Sequence, residues 1–379
     1  MTEKKKLYYI IFLLCITFAV TSFNVIQFFS ERASFQYSDW LINYQAGFIR
    51  RGFIGEIFYQ LSSLFKLQLD YLILFFVLGL YLVFYLNFFK IIKKINLKLI
   101  DFFIILSPLS FFYTAFEQKA SGRKEIIFLS LLSLFIVLLK KVPLNKQVYL
   151  MILLTTITSL THSGLIFYNI YFLVLFISVN LKKIGIHKII FKSLPFLLSS
   201  IIILILISLN STLTENELKI LCQSVIEYLP NCGKGDYVNT LTWGLKNNFE
   251  GNKYFWFSTS YFISYFLSFI FCFIFFLYLT AKTKINNFNF SYGIIICLAS
   301  SLPLYFIGAD YGRYLHISYI SSILIYYYLL SEGLIKREKI SIKLHKFILI
   351  PIILIYSFTW TVPHCCESNP KFNLRKLID

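Results

Sequence analysis

Charge is what this chain lacks most. Only 14% of its 379 residues are Asp, Glu, Lys or Arg, whereas 58% are apolar, and that balance excludes an ordinary soluble globular domain. Metal-ligand patterns are missing as well. The five histidines are scattered, none has an i,i+4 partner, and no Cys-x-x-Cys occurs, so neither a metal nor another cofactor is expected. No low-complexity tract or internal repeat breaks the chain into modules. Arginine is scarce too, with seven among 36 basic residues, and that scarcity makes each arginine informative.

What the chain has in abundance is hydrophobic runs. A bilayer core needs about 20 apolar residues per helical crossing, and backbone polar groups in lipid must pair within the segment, which makes helices the default. The expectation is an all-α polytopic membrane protein of a single membrane domain, 1–379. Its eleven spans lie at 7–29, 69–89, 99–116, 126–139, 147–161, 165–180, 193–209, 256–279, 291–308, 316–334 and 347–363. The fifth and sixth are short, and read either as half-helices meeting at Thr161-His162-Ser163-Gly164 or as one miscounted stretch. The first run follows Lys4-Lys5-Lys6 but is longer than a signal-peptide core and lacks a small-x-small site, so it reads as an uncleaved anchor.

With the N-terminus cytoplasmic, the segments 1–6, 90–98, 140–146, 181–192, 280–290 and 335–346 fall inside and hold the majority of the 36 basic residues. Lys/Arg excess marks the cytoplasmic side. The net charge of +18 is then a topology signal, and nucleic acid is not expected as a partner. An odd number of spans places the C-terminus outside.

Two outside segments are long enough to fold. In 30–68, the residues Phe48, Ile49, Phe53, Ile54, Ile57, Phe58 and Leu61 recur at helical spacing with Arg50, Arg51 and Glu56 off the stripe, which suits a helix lying in the membrane interface. The second segment, 210–255, mixes polar and aromatic residues. It contains Cys222 and Cys232, candidates for a disulfide in an oxidising compartment.

The arginines concentrate outside, in three short motifs at the ends of spans. These are Ser38-Asp39-Trp40 with Arg50-Arg51 and Glu56; the run from Phe116 to Glu125 with Glu117, Arg123 and Lys124; and the run from Gly308 to His316 with Asp310 and Arg313. His162 falls at the same level. Lysine would suffice for snorkelling, whereas the planar fork of arginine grips phosphate or carboxylate with two bonds. Arg50, Arg51, Arg123, Lys124 and Arg313 are therefore candidate ligands of an anionic lipid-linked substrate. Asp39, Glu117, His162 and Asp310 are candidate catalytic acids or bases. Each motif also has a plainer reading. The arginine pair could contact lipid headgroups, 117–125 could be a solvated loop, Asp310 and Arg313 could form an i,i+3 pair, and His162 could simply occupy a turn.

Asp39-Trp40 followed by Tyr44-Gln45-Ala46-Gly47-Phe48-Ile49-Arg50-Arg51-Gly52 resembles a pattern in membrane proteins of bacterial surface-polysaccharide clusters, the Wzy-type repeat-unit polymerases of O-antigen or capsule. The specific part covers some 40 residues. The resemblance implies a multi-pass protein of the bacterial inner membrane. Such a protein transfers a growing glycan from undecaprenyl diphosphate to another lipid-linked repeat unit at the outer face, without a metal or nucleotide sugar. It also implies a flippase and a chain-length regulator as partners. One departure is that 210–255 contains no Arg, unlike the arginine-rich loop of better-known polymerases and ligases.

Three other classes remain open. A GT-C-like transferase using a polyprenyl-phosphate sugar would place its essential acid at Asp39. A transporter of lipid-linked glycans would show repeats and polar groups near the midplane, whereas here charge gathers at helix ends. A non-catalytic assembly protein is the last.

Overall fold

The computed structural model describes residues 3–32, 34–234, 236–285, 288–337, 346–365 and 373–374. The expected inside loop 335–346 falls largely outside these residues, as does most of the tail beyond Cys365. The described chain is mostly helical with only short strands, and six of its helical segments are long and apolar enough to cross a membrane. These are Lys4–Ser30, Leu69–Ile92, Ser163–Ile184, Ile186–Leu209, Thr259–Ala281 and Phe290–Ile307.

The remaining runs read as spans from sequence are shorter, broken or more polar, for identifiable reasons. The run 99–116 splits into α5 (Leu99–Ile105) and α6 (Phe111–Phe116), because Pro108 has no N–H and biases Ser107 away from helix. One of the six segments is itself interrupted, at Ser301 before Pro303, which divides α14 (Phe290–Ser300) from α15 (Leu302–Ile307). The helix α7 (Glu125–Leu138) has 14 residues, and α17 (Lys346–Phe358) has 13. The helix α16 (Tyr311–Ser331) is long, but it carries Arg, His, Ser and Tyr. Its composition follows from its place: every residue from Tyr311 to Leu329 except Tyr314 is buried, so no face of it needs to be apolar for lipid. The helix α10 (Ile186–Leu209) is the opposite case, exposing Phe191, Leu198, Ile201, Ile202, Ile205 and Leu209.

The long elements run between two ends. At one, Lys6 of α1 (Glu3–Ser30) donates to Leu97 O at 3.1 Å. There too Lys94, just past α4 (Leu69–Ile92), and Lys140, just past α7, both meet Glu332 after α16. This lysine-rich end also carries a small antiparallel sheet, with β1 (Thr283–Ile285) between β2 (Phe288–Asn289) and β3 (Lys336–Arg337). At the other end, Asn24 near the finish of α1 donates to Ala115 O at 2.9 Å, and Arg32 pairs with Asp70 at the start of α4 at 2.8 Å.

The ambiguity around His162 resolves as a hairpin. The helix α8 (Leu144–Thr161) stops at His162, which is extended, and a 3₁₀ turn over Ser163–Tyr168 leads into α9 (Ile170–Ile184). Asn169 donates to Ser159 at 3.0 Å near the turn, and Asn180 to Gln147 at 2.9 Å far from it, so the two helices run antiparallel.

The interfacial-helix expectation is corrected in one respect. The helix α3 begins at Phe53 and ends at Phe65, so Arg50 and Arg51 lie in the loop before it rather than on its polar face. The backbone turns there at Gly47 (φ +109°) and at Arg51 (φ +72°). The helix then presses directly onto the preceding strand of chain: a Cβ at Gly55 would sit 2.0 Å from Ile42 O, and one at Gly52 would strike the Tyr44 ring at 2.4 Å. Those two glycines are spent on internal packing. Glu56 fixes the same loop by accepting from Tyr44 N–H at 2.8 Å and from Gln45 Nε2 at 3.0 Å.

The segment 210–255 folds over this loop. It contains α11 (Glu215–Ser224), a 3₁₀ turn over Val238–Thr242 and the start of α12 (Leu245–Phe257). Cys222 and Cys232 are bonded, with Cα atoms 5.4 Å apart.

Candidate functional site

The short helix α2 (Ser34–Leu41) sets the site's position. Trp40 is wholly buried, packs edge-on to Phe76 and tilted on Phe58, and donates its indole N–H to Gly122 O at 2.6 Å. Aromatic pairs of this kind contribute about 0.5–1.5 kcal/mol each beyond area burial. The Gly122 turn has φ +71° and leaves only 3.1 Å between an added Cβ and the Phe28 ring, a place only glycine fits. Trp40 thus docks the end of α2 on the start of α7, and Asp39 comes to lie beside Lys124.

Three elements from distant parts of the sequence then meet at Asp39 Oδ1. Lys124 Nζ lies 3.6 Å away and Arg51 Nη1 3.9 Å away, with the side chains of Asp39 and Lys124 almost or wholly without exposure and Arg51 slightly open. Neither cation is within hydrogen-bond distance, and Asp39 Oδ1 accepts no hydrogen bond although it is buried. Lys124 donates instead to the carbonyl of Arg51 at 2.9 Å. The Arg51 guanidinium reaches Ser163 Oγ at 3.4 Å through Nε and lies 4.7 Å from the centre of the Tyr237 ring. Its backbone is left-handed, which costs a non-glycine residue on the order of 1–3 kcal/mol and recurs at ligand clamps.

Burial and charge set the protonation states. Burial opposes ionisation of Asp39, but Lys124 and Arg51, with smaller help from His162 and Arg123, hold its carboxyl below the usual range. Burial pushes the Lys124 ammonium down to about 8, with Asp39 resisting. His162 is held well below its ordinary value by burial and then by Arg51; its ring is neutral at neutral pH, and Nδ1 has no hydrogen-bond partner. The cluster therefore presents an ionised acid, a neutral imidazole and an excess of cations.

The other expected residues divide. Arg123 is buried next to the cluster, its guanidinium 5.9 Å from the Phe35 ring and donating to Lys119 O at 3.2 Å. It is close enough to perturb both Asp39 and Asp310. Arg313 bonds Asp310 at 2.6 Å in the i,i+3 arrangement and also pairs with Glu125, so its fork is already engaged by protein carboxylates. Burial raises the Asp310 carboxyl, against the pull of Arg123. Beneath these groups lies a cavity of about 20 Å³, bordered by Tyr81, Tyr113, Arg123, Glu125, Arg313 and His316, room for about one water. Glu117 stands apart from Asp39 and pairs with His364 at 3.1 Å.

Arg50 departs furthest from expectation. Its guanidinium donates to Thr240 O at 3.3 Å and Trp243 O at 3.4 Å, and its N–H to Asn210 O at 3.3 Å. These bonds tie the 210–255 segment down, while Arg50 Nε is buried without a hydrogen-bond partner. The same segment contributes Tyr237, whose N–H donates to Ser38 Oγ at 3.0 Å and whose ring meets Phe35 and Arg51. Sequence reasoning missed Tyr237, Ser163 and His364. The aromatic character of 210–255 was visible, but nothing in it pointed to one tyrosine.

Among the described residues, no group of three or more His, Cys, Asp or Glu side chains could hold a metal ion. Compared with family models, curated proteins and solved structures, the chain finds no match.

Proposed function

We propose that the protein is a membrane glycosyltransferase that polymerises lipid-linked oligosaccharide repeat units at the outer face of the bacterial inner membrane. The observation that carries this reading is the cluster itself. Asp39, Arg51 and Lys124 come from three separate segments, with cations in excess and the carboxylate oxygen left without a hydrogen bond. Buried polar groups are nearly always bonded, and an unbonded carboxylate oxygen between two cations calls for an explanation, which an absent anionic ligand supplies. In this reading the shorter and broken segments complete eleven crossings, the lysine-rich end is cytoplasmic and the arginine end faces outward.

The roles follow from the chemistry. His162, neutral and with Nδ1 unpartnered, takes the proton from the acceptor sugar hydroxyl. The freed oxygen attacks the anomeric carbon of the donor glycan. The bond between that carbon and the phosphate oxygen breaks, and undecaprenyl diphosphate leaves with the electron pair. Arg51, assisted by Arg123, offsets the charge on the departing diphosphate. Asp39 is a poor base beside two cations, and its part is to steady Arg51 and the imidazolium formed at His162. A flippase would supply the substrate, and a chain-length regulator would set its extent.

A second reading is a GT-C-like transferase using a polyprenyl-phosphate monosaccharide, favoured by the placement of Asp39 directly after the first long helix. Assay of the purified protein with each donor separates them. Growth of multi-repeat glycan from the diphosphate oligosaccharide is the expected result. Turnover of the monophosphate sugar alone would replace polymerase by the second reading, and inertness toward both would remove glycosyl transfer.

A further inference from the structure

Lys124 has no exposed side-chain surface, so it cannot touch a headgroup, although its sequence context put it among the phosphate ligands. Its surroundings suggest another task. The ammonium faces Asp39 from α2, the carbonyl of Arg51 from the loop before α3, and the Trp40 ring at 5.9 Å. The Arg51 guanidinium and His162, from the turn after α8, lie within electrostatic reach. Glu125, its neighbour on α7, is occupied by Arg313. The carbonyl it holds belongs to a residue in a conformation that arginine seldom adopts. A cation bonded to that carbonyl stabilises the turn, whereas an apolar side chain of the same size would leave the carbonyl unpaired.

We propose that Lys124 is a positioning residue: its ammonium holds the left-handed turn of Arg51, and that turn keeps the guanidinium poised across Asp39 and Tyr237 to close on an anionic headgroup. The proposal rests on the anion-binding reading above, but its structural half needs no substrate. A neutral amine can still donate to the Arg51 carbonyl, but loss of the Lys124 charge weakens that bond and leaves Asp39 facing one cation instead of two. Because burial brings that proton within reach of mildly alkaline pH, the grip weakens there, well below the range where an exposed lysine titrates.

The test uses the full chain in lipid nanodiscs, with Trp243, Trp256 and Trp360 replaced by Phe so that Trp40 reports on the ammonium beside it. Two quantities are read from pH 6.5 to 10: Trp40 fluorescence, and the affinity for undecaprenyl diphosphate. The expected result is a fluorescence step centred near pH 8 and a fall in affinity of about tenfold per pH unit above it. Lys124→Met, close in volume, should abolish the step and bind at least about tenfold more weakly at pH 7. Lys124→Arg should carry both transitions above pH 10. Lys124→Met with wild-type affinity, the same alkaline fall and an unchanged melting temperature would overturn the proposal. Where no variant binds the diphosphate, the lipid reading fails instead. The melting temperature at pH 7 then decides the positioning role: a lower value in Lys124→Met than in the parent supports it, and an unchanged value overturns it.

Discussion

Two buried aspartates with arginine partners stand at opposite ends of this bundle, and they are built to opposite specifications. At the lysine-rich end, Asp101 has no exposure and both of its oxygens are bonded. Tyr327 donates to Oδ1 at 2.9 Å, and Arg337 Nη1 and Lys98 N–H donate to Oδ2 at 2.8 and 2.5 Å. Asp39, at the arginine end, sees two cations at 3.6 and 3.9 Å and accepts nothing at Oδ1. The first carboxylate is a closed staple between α5 and the β3 strand. The second meets its two cations only at ion-pair distance, beside a turn in which Arg51 is left-handed. A carboxylate bonded at both oxygens is held rigidly, even though Arg337 Nη2 beside it is buried without a hydrogen-bond partner.

The comparison can be broken first at the staple. Removing one partner of a buried bonded ion pair costs about 3–5 kcal/mol, so Asp101→Ala should lower the melting temperature in detergent severely. Asp39→Asn should lower it far less, since no hydrogen bond at Oδ1 is lost and Lys124 can shed its proton. A larger loss at Asp39 would erase the distinction. Next in size, Arg51→Lys keeps the charge but removes the fork. Glycan transfer should drop by tenfold or more, about 1.4 kcal/mol or above, with membrane levels unchanged by immunoblot. Normal polymer length in that variant would reduce Arg51 to a topology signal.

Stability against pH sharpens the contrast further. The folded Lys124 binds its proton less tightly than the unfolded chain does, so its contribution to stability rises as pH climbs from about 8 toward the ordinary lysine range. His162 behaves in the same sense at lower pH. The unfolded ring takes a proton below 6.5 that the folded one refuses, and stability falls there by up to about 1.4 kcal/mol per pH unit. Thermal melts from pH 5 to 10 should show both slopes, and Lys124→Met should remove the alkaline one. Binding and stability then move in opposite directions above pH 8. The smallest effect is expected at Arg50→Lys, where weakened bonds to Thr240 O and Trp243 O cost about 0.5–1.5 kcal/mol. Protease nicking of 210–255 would rise modestly while transfer persists. Complete loss of transfer would return Arg50 to the binding site.

Much of this arrangement was legible in the sequence because charge is so rare in it. Four of the seven arginines fall in three short motifs at the ends of apolar runs, and alternating helices with short connections bring two of those motifs together, so that Asp39 and Arg51 meet Lys124. What stayed hidden depends on atoms rather than patterns. The Phe48–Leu61 stripe is periodic across a loop and a helix alike, so periodicity could not show that α3 starts only at Phe53. The partners of Arg50 lie 190 and 193 positions away, beyond any local rule. Arg313 looked like a ligand until Glu125, 188 positions earlier, was seen to occupy it. The breaks at Pro108 and before Pro303 were departures that the sequence announced.

The burial of α16 on all sides bears on how the molecule is made. A helix carrying Arg313, His316, a run of tyrosines and several serines is a poor candidate for lone insertion from the translocon into lipid. Most of its packing partners, among them α4, α7, α9, the helix Thr259–Ala281, α14 and α15, precede it in the chain, whereas Arg337 against Tyr326 and Pro363 against Gly312 follow it. The preceding helices are synthesised first, so α16 can enter a slot already largely walled by protein, and truncations before that point would leave that slot unfilled.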